Sequence, residues 1–585
     1  MKLNWLLILY LLMIQACGIQ DRPTRGFYQI SGEELEDRIQ GGLLGEIIGN
    51  LNGLPHEFRY FNEPGQVEDY IPSLPEGGRT DDDTDIEWVH IYYMQQYGRL
   101  FLSPDEIVQI WKEHMNKKVY SSSYYVRQLM DIGFKPPETG RQIYNPFAHF
   151  NLAGSFLSEA YGLISPGMPR TASRIGTYYT SIQVEGESLQ VTQLVTSMIS
   201  LAFFMDNIED IIKTGIRAVD PHSASYHCAD SVLTWYSLFP EDYSLTRERI
   251  KNNYYTTSFP EQINDVAYNV CLANTACLIA GLLYGKGDFT ETLRIVFNLG
   301  WDADCTAATA GTILGIMKGR GWIMQQGWEI IDRYYNSTRD GMPDDETITS
   351  YGDRLVQLAE KVILDNGGVK TEDDGHIIFR IPVERVKNNV VLSRSLDEVG
   401  RLKSSERDHI LGIITAENAG TEQKARVVYT ALSLEMAEDV KAAYPEEWSA
   451  AVDALDQYPR LLYAMLYPKY PLAQRIRDLA VAAGIDMVDI KPSLSGNVEF
   501  ILEGDYPAVE KIVLYGNFNN YSKFETIFGR EDGRWVCRVD LEPGKYHYLF
   551  LLINKDGTQS WLNDPKNPER GRYIDGSYYS FLEVE

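Results

Sequence analysis

The chain has 585 residues, too many for one ordinary hydrophobic core, so its length indicates roughly two to four domains. Hydrophobic residues make up 44% of the sequence, which is typical of a globular protein. The formal net charge of -28, from 82 acidic and 54 basic residues, argues against a nucleic-acid backbone or an anionic membrane surface as a partner.

We expect the first residues to form a targeting signal rather than part of the fold. Lys2 precedes an apolar run over residues 5–14, which is too short to cross a bilayer but suits the apolar region of a signal peptide. The following Ala16-Cys17 resembles the cleavage box of bacterial lipoproteins. That resemblance predicts a signal peptide over residues 1–17, lipidation of Cys17, and an exported lipoprotein in the periplasm or on the cell surface. Only the lipid anchor would then touch a membrane. Plain secretion with cleavage nearby is the alternative.

Two helical segments far apart in the chain carry glycines or alanine at every fourth position. Because residues four apart share one face of a helix, each segment has a ridge of small residues. The segment 37–54 has such a ridge, and the segment 306–319 has the other. The ridge residues are Gly41, Gly45, Gly49 and Gly53, then Ala307, Gly311, Gly315 and Gly319. We expect the two helices to pack closely and to bring their attached acidic loops together.

An acidic cluster adjoins each of these regions. Residues 80–85 read Thr-Asp-Asp-Asp-Thr-Asp, and residues 300–306 read Gly-Trp-Asp-Ala-Asp-Cys-Thr. Crowded carboxylates need a compensating cation, and oxygen ligands favour Mg²⁺, Mn²⁺ or Ca²⁺ over zinc. We expect Asp302 and Asp304 to alternate along an extended turn, so that both face one ion, with a helix starting near Thr306.

The remainder of the chain contains two further regions with different sequence patterns. Residues 363–490 are predicted to contain a strand over 376–382 and then a helical linker domain. Short alternating strands follow at 498–502, 511–515, 535–540 and 546–553, separated by turn residues. This pattern predicts an immunoglobulin-like β-sandwich over residues 491–585.

Residues 31–362 resemble the ADP-ribosylglycohydrolase family. The matching segments are 37–45 (Asp-Arg-Ile-Gln-Gly-Gly-Leu-Leu-Gly), 53–57, 82–84, 166–169, 285–289 and 300–304, in the family's order. The resemblance implies an all-α domain, a hydrolytic enzyme, and a centre of two Mg²⁺ ions, with Mn²⁺ as a possible substitute, that binds a ribose-like sugar.

The resemblance also implies site residues. The family's Thr-Asp-Asp-Thr motif fits with its last threonine at Thr84, which places Asp82 and Asp83 on the aspartates and Asp81 in the threonine position. Starting it at Thr80 would select Asp81 and Asp82 instead. Asp302 and Asp304 match the second motif, and Cys305 replaces its usual Thr or Ser. A neutral thiol is a poor magnesium ligand, so either Thr306 serves as the substitute ligand or one metal site is weakened.

Three of the site residues are assigned catalytic roles. Glu57 matches the family's glutamate after the first helix and is the candidate for gating or catalysis. Asp83 or Asp304 is expected to activate the attacking water.

Residues 491–585 resemble the glycogen-binding module of the AMP-activated kinase β subunit, through segments 513–521, 532–535, 541–548 and 563–565. In such modules tryptophans stack on sugar rings. Here Tyr521 holds one of those positions and Trp561 another, which predicts a weak carbohydrate site and a possible glucan partner. A sheet used only for packing is the alternative.

Two functions follow from these patterns. The first is a magnesium-dependent glycohydrolase that cleaves a glycosidic bond to ribose or a related sugar, in a small molecule or glycoconjugate. The second is a non-catalytic glycan-binding lipoprotein that uses the C-terminal module. Neither function involves nucleic acid.

Overall fold

A computed structural model of the chain describes residues 26–254, 263–466, 474–485, 492–519, 522–523, 525–556, 558–572 and 578–584. The predicted signal peptide with Cys17, and Tyr521 of the predicted carbohydrate site, lie outside the described residues. No helix within these ranges combines the length and the apolar character needed to cross a bilayer.

The first part of the chain folds into a helical unit around one large hydrophobic core, as the sequence predicts. Two short strands, β2 (Gly78–Arg79) and β3 (Tyr334–Tyr335), pair in parallel, and Tyr334 belongs to this core. Its helices are α1 Gly32–Gly53, α2 Asp82–Tyr97, α3 Pro104–His114, α4 Ser121–Asp131, α5 Ala153–Phe156, α6 Glu159–Leu163, α7 Pro169–Thr180, α8 Glu187–Ala202, α9 Ile208–Gly215, α10 Ala224–Leu238, α11 Tyr243–Tyr254, α12 Ile263–Gly285, α13 Phe289–Leu299, α14 Ala303–Lys318, α15 Arg320–Gln325 and α16 Ile348–Asp365.

Helices α1 and α14 pack through their small-residue ridges, which confirms the prediction from the sequence. A Cβ atom placed on Gly45 would lie 2.1 Å from the carbonyl oxygen of Gly311, and one on Gly311 would lie 2.1 Å from that of Gly45. At the end of the ridge, a Cβ on Gly53 would lie 2.4 Å from Cα of Asp304. The close backbone contact therefore places the end of α1 against the start of α14.

Gly45→Ala is expected to destabilise the protein by about 1–3 kcal/mol, because the added methyl group meets backbone that cannot rotate away. Gly412→Ala is the matched control: this helical glycine has nothing within 4 Å of its Cβ position, so alanine should stabilise by about 0.5–1 kcal/mol. Denaturant unfolding of both variants measures the difference. Equal effects would contradict the packing described above.

A three-stranded antiparallel sheet ties the start of the described chain to the end of the helical unit. Strand β1 (Phe27–Ser31) pairs with β5 (His376–Pro382), which pairs in turn with β4 (Val369–Asp373). The strand predicted over 376–382 is therefore confirmed. Phe379 and Ile381 enter the core of the helical unit, so this hairpin packs on that unit.

A second helical unit follows and shares its core with the first. Tyr429 and Trp448 are buried in this core, together with Phe134 from the first unit. The hydroxyl group of Tyr429 donates to the carbonyl oxygen of Tyr144, at 2.6 Å. Its helices are α17 Val399–Ile414, α18 Thr421–Ser433, α19 Ala437–Ala443, α20 Pro445–Val452, α21 Pro459–Leu466 and α22 Gln474–Ala482.

The C-terminal region is built of antiparallel strands in two sheets, an arrangement compatible with the predicted β-sandwich. The strands are β6 Val498–Leu502, β7 Val509–Gly516, β8 Gly529–Glu531, β9 Arg534–Val539, β10 Gly544–Asn554, β11 Gln559–Leu562, β12 Arg570–Arg572 and β13 Tyr578–Val584. One sheet has the order β6-β9-β8; in the other, β10 pairs with β7, β11 and β13, and β13 pairs with β12. Phe500, Leu514 and Phe550 lie in the core between the two sheets.

Candidate metal centre

Both acidic motifs lie at helix N-termini rather than in extended loops. Helix α2 begins at Asp82 with Asp81 as its N-cap, and α14 begins at Ala303 with Asp302 as its N-cap. The expected extended turn at Asp302 and Asp304 was therefore wrong, as was the helix start near Thr306. Aspartate favours the N-cap position, and the positive end of the helix dipole favours carboxylates in the first turn. Neither cap side chain accepts from a backbone N–H of its own helix. The carboxyl group of Asp302 instead hydrogen-bonds the side chains of Asp304 and Cys305.

Five side chains form two overlapping groups with the spacing of metal ligands. One oxygen each from Glu57, Asp302 and Asp304 lie within 4.8 Å of one another. Ligand atoms of Asp83, Asp304 and Cys305 meet the same limit. Asp304 belongs to both groups, and its buried Oδ1 has no hydrogen-bond partner among the described residues. Such an orphaned oxygen fits a cation, because a buried acceptor without a partner is costly.

The other predicted ligands flank these groups. Asp81 and Asp82 lie close enough to Glu57 for their charges to raise its pKa. The hydroxyl group of Thr306 donates to the carbonyl oxygen of Asp302, at 2.7 Å, within its own helix. Cys305, rather than Thr306, meets Asp83.

Asn50 contacts the centre, although the sequence analysis did not select it. Its Nδ2 donates to Oδ2 of Asp83 at 2.6 Å and to Oδ2 of Asp81 at 3.2 Å. It therefore fixes both carboxylates from α1. The available signal was a polar residue within the apolar stretch that follows Gly45.

Strained backbone holds Glu57 against the second motif. A short 3₁₀ turn, Leu54–His56, extends α1, and Phe58 then adopts a φ of +50°. The N–H of Phe58 donates to the carbonyl oxygen of Trp301, at 2.8 Å, and Trp301 itself has a φ of +70°. A positive φ costs a non-glycine residue free energy, and residues with this conformation cluster at functional sites. Arg247 clamps the two segments by donating to the carbonyl oxygens of Tyr60 and Leu299, each at 2.9 Å.

A buried ion pair holds the first acidic motif in place through Asp85. Nη2 of Arg339 lies 2.6 Å from Oδ1 of Asp85, and both side chains are fully buried. Thr338 donates to the other oxygen of Asp85, and Arg339 also donates to the carbonyl oxygen of Lys117, at 2.7 Å. The pair therefore fixes the first turn of α2 against two neighbouring segments.

Burial and mutual repulsion raise the pKa values of the carboxyl groups. The pKa of Glu57 rises to about 9, because of burial and then the charges of Asp304, Asp82 and Asp81. Burial raises the pKa of Asp302 to about 7, and burial with neighbouring carboxylates holds the pKa values of Asp83 and Asp304 well above their usual range. The centre therefore retains protons near neutral pH, and a bound cation would displace them.

The metal-free protein is expected to lose stability as the pH rises from about 4, the unfolded pKa of a carboxyl group. The folded pKa values lie higher, at about 7 for Asp302 and about 9 for Glu57, so the folded state binds more protons in this window. The stabilisation is complete below the unfolded pKa and disappears as the pH passes the folded pKa. Denaturant unfolding with a chelator measures the slope, and excess Mg²⁺ should flatten it. A flat chelator profile would contradict the prediction.

A second set of buried carboxyl groups lies deeper in the helical unit and was also missed. Glu46 of α1, Glu87 of α2 and Glu159 of α6 are each about 1% exposed or less. Burial raises the pKa of Glu159 to about 7, and burial with neighbouring carboxyl groups holds the pKa values of Glu46 and Glu87 well above their usual range. Ala160 donates its N–H to Glu87 at 2.9 Å, whereas both oxygens of Glu46 lack partners among the described residues.

The resemblance implies an all-α domain with acidic metal ligands, and the described helical unit with its carboxyl-rich centre agrees with that expectation. The chain belongs to the ADP-ribosylglycohydrolase family, whose model matches residues 31–365, more than half of the chain. No curated protein matches it. The C-terminal β-strands lie beyond the matched residues.

Proposed function

We propose that the protein is a metal-dependent glycohydrolase that cleaves a glycosidic bond to ribose or a related sugar. Family membership supports a glycohydrolase. The observation that carries the proposal is the convergence of Glu57, Asp302 and Asp304 within 4.8 Å, with Asp83 and Cys305 in the adjoining group. Asp302 and Asp304 would hold Mg²⁺, or Mn²⁺ in its place. When bound, such an ion would supply Lewis-acid chemistry.

The exposure of each side chain in the centre indicates its role in binding the substrate or in transferring a proton. Glu57 is half-buried, whereas Asp83, Asp302 and Asp304 are buried. Glu57 therefore meets an entering substrate, orients its sugar and closes the site over it. Asp83 or Asp304 accepts the proton of the attacking water, since each has a carboxylate oxygen directed into the centre. Asn50 holds Asp83 in position for that role.

The substrate we propose is a ribosyl conjugate, either a small molecule or a glycoconjugate. Hydrolysis of a panel of N- and O-linked ribosyl and ADP-ribosyl conjugates, with Mg²⁺ or Mn²⁺ and with a chelator, tests this proposal. Chelator-sensitive release of the sugar from at least one conjugate supports it. No release from any conjugate with either metal counts against it.

A second candidate function rests on the exposed face of the C-terminal module. Trp561 is 46% exposed, packs edge-on against Tyr515 at a ring-centroid distance of 4.7 Å, and has the ammonium group of Lys523 5.1 Å from its ring. An exposed indole flanked by a ring and a cation offers a stacking surface for a sugar. We therefore propose glucan binding here, independent of the hydrolytic centre.

Trp561→Ala is expected to weaken glucan binding by about tenfold, because one stacked aromatic ring contributes roughly 1–1.5 kcal/mol. Affinity electrophoresis in glycogen-containing gels measures the change. Trp322→Ala, in the helical unit, is the control and should migrate as the parent protein does. Equal retardation of the parent and Trp561→Ala, or no retardation of either, would remove the second candidate.

A further inference from the structure

Cys305 differs in its surroundings from the other buried thiols of the described chain. Its Sγ lies 2.8 Å from Oδ1 of Asp83 and belongs to the ligand group that Asp304 completes. By contrast, Cys228 donates to the backbone carbonyl of Leu272, and Cys537 lies in the apolar core of the C-terminal module. Cys305 is therefore a thiol placed among carboxylates.

Independent observations show buried polar atoms at this group that lack hydrogen-bond partners among the described residues. Oδ1 of Asp304, a residue only 4% exposed, has no hydrogen-bond partner among the described residues. The side-chain amide of Asn50 donates to Oδ2 of Asp83, at 2.6 Å, whereas Oδ1 of Asp83 lies beside the thiol. The Oδ1 atom of Asn50 is buried and also lacks a partner within the described chain.

The chemistry of the donors separates the two ligand groups. The group of Glu57, Asp302 and Asp304 offers only oxygen, which suits a hard ion such as Mg²⁺. The other group replaces one oxygen with sulfur. A thiolate is a poor ligand for Mg²⁺ but a good one for Zn²⁺ and similar ions, which accept carboxylate oxygen at the same time.

We infer that Asp83, Asp304 and Cys305 form a site for a thiolate-binding divalent ion of the zinc type, beside an all-oxygen magnesium site. This inference rests on the metal centre of the proposed function, and it means that the centre holds two different metal ions. On binding, the thiol loses its proton to solvent as the sulfur–metal bond forms, and no oxidation takes place.

Co²⁺ is the probe, because it replaces zinc in such sites and gives a near-ultraviolet charge-transfer band only when thiolate is a ligand. Metal-free protein, Cys305→Ser and the control Cys537→Ser are titrated with Co²⁺, Zn²⁺ and Mg²⁺, without substrate. We expect the band in the parent protein and the control and its loss in Cys305→Ser. Zn²⁺ affinity should fall at least about tenfold in Cys305→Ser, while Mg²⁺ affinity is retained.

X-ray absorption of the zinc-loaded parent protein provides a test that needs no variant, should Cys305→Ser fail to fold. One sulfur ligand supports the inference. An oxygen-only shell, or an unchanged Co²⁺ spectrum in Cys305→Ser, overturns it and leaves the thiol as a hydrogen-bond donor to Asp83. Binding of none of the three ions overturns it together with the metal centre of the proposed function, whereas Mg²⁺ binding alone overturns only this inference.

Discussion

Asp83→Asn and Asp302→Asn are each expected to lower kcat/KM for hydrolysis of a ribosyl conjugate on the order of a thousandfold or more. Each substitution keeps the size of the side chain and removes one negative charge from a ligand group. The loss of charge weakens the hold on a cation, and Asp83→Asn also removes a candidate proton acceptor. Steady-state assays at saturating Mg²⁺ measure the effect.

A stability measurement separates this loss from misfolding. Because burial raises the pKa values of Asp83 and Asp302 and so keeps these carboxyl groups wholly or partly protonated at neutral pH, asparagine should leave the melting temperature of the metal-free protein close to that of the parent. Asp374→Asn is the control. Because Asp374 lies exposed in the β4–β5 turn, this substitution should change neither kcat/KM nor the melting temperature. Unchanged turnover in both active-site variants would contradict the proposed function.

Asp85→Ala is expected to destabilise the protein by about 3–5 kcal/mol, because it leaves the charge of Arg339 buried without its partner. Loss of this anchor also frees the first turn of α2, so metal affinity should fall together with stability. Denaturant unfolding and metal titration measure the two effects.

Two further variants test whether the unpaired charge is the cause. In Asp85→Ala with Arg339→Met, no charge remains buried, and much of the lost stability should return. Glu360→Ala, which breaks the partly exposed ion pair with Lys370, should cost less than about 1 kcal/mol. Equal costs for Asp85→Ala and Glu360→Ala would show that the buried pair does not anchor the motif.

The contact between α1 and α14 could be predicted because a helix repeats its face every three to four residues. Glycines four apart, such as Gly41 and Gly45, mark a ridge whose only structural benefit is close backbone approach. The same reasoning predicted that the acidic motifs meet. The strands of the C-terminal module could be predicted from alternation and turn residues, which are equally local signals.

The finer geometry of the centre depends on long-range contacts that no local pattern encodes. Asp85 and Arg339 are 254 positions apart, and Asn50 reaches Asp83 only because α1 crosses the start of α2. The helix that begins at Ala303 was predicted to begin near Thr306, because an aspartate serves equally as a loop ligand and as a helix cap.

Calorimetric titration of the metal-free protein with Mg²⁺ and Mn²⁺, alone and with ADP-ribose, tests the central claim most directly. We predict divalent-ion binding that becomes tighter with ADP-ribose and that is lost in Asp304→Asn, the substitution that affects both ligand groups. Absence of metal binding, or binding equally tight in Asp304→Asn, would contradict a hydrolytic centre built from these carboxylates.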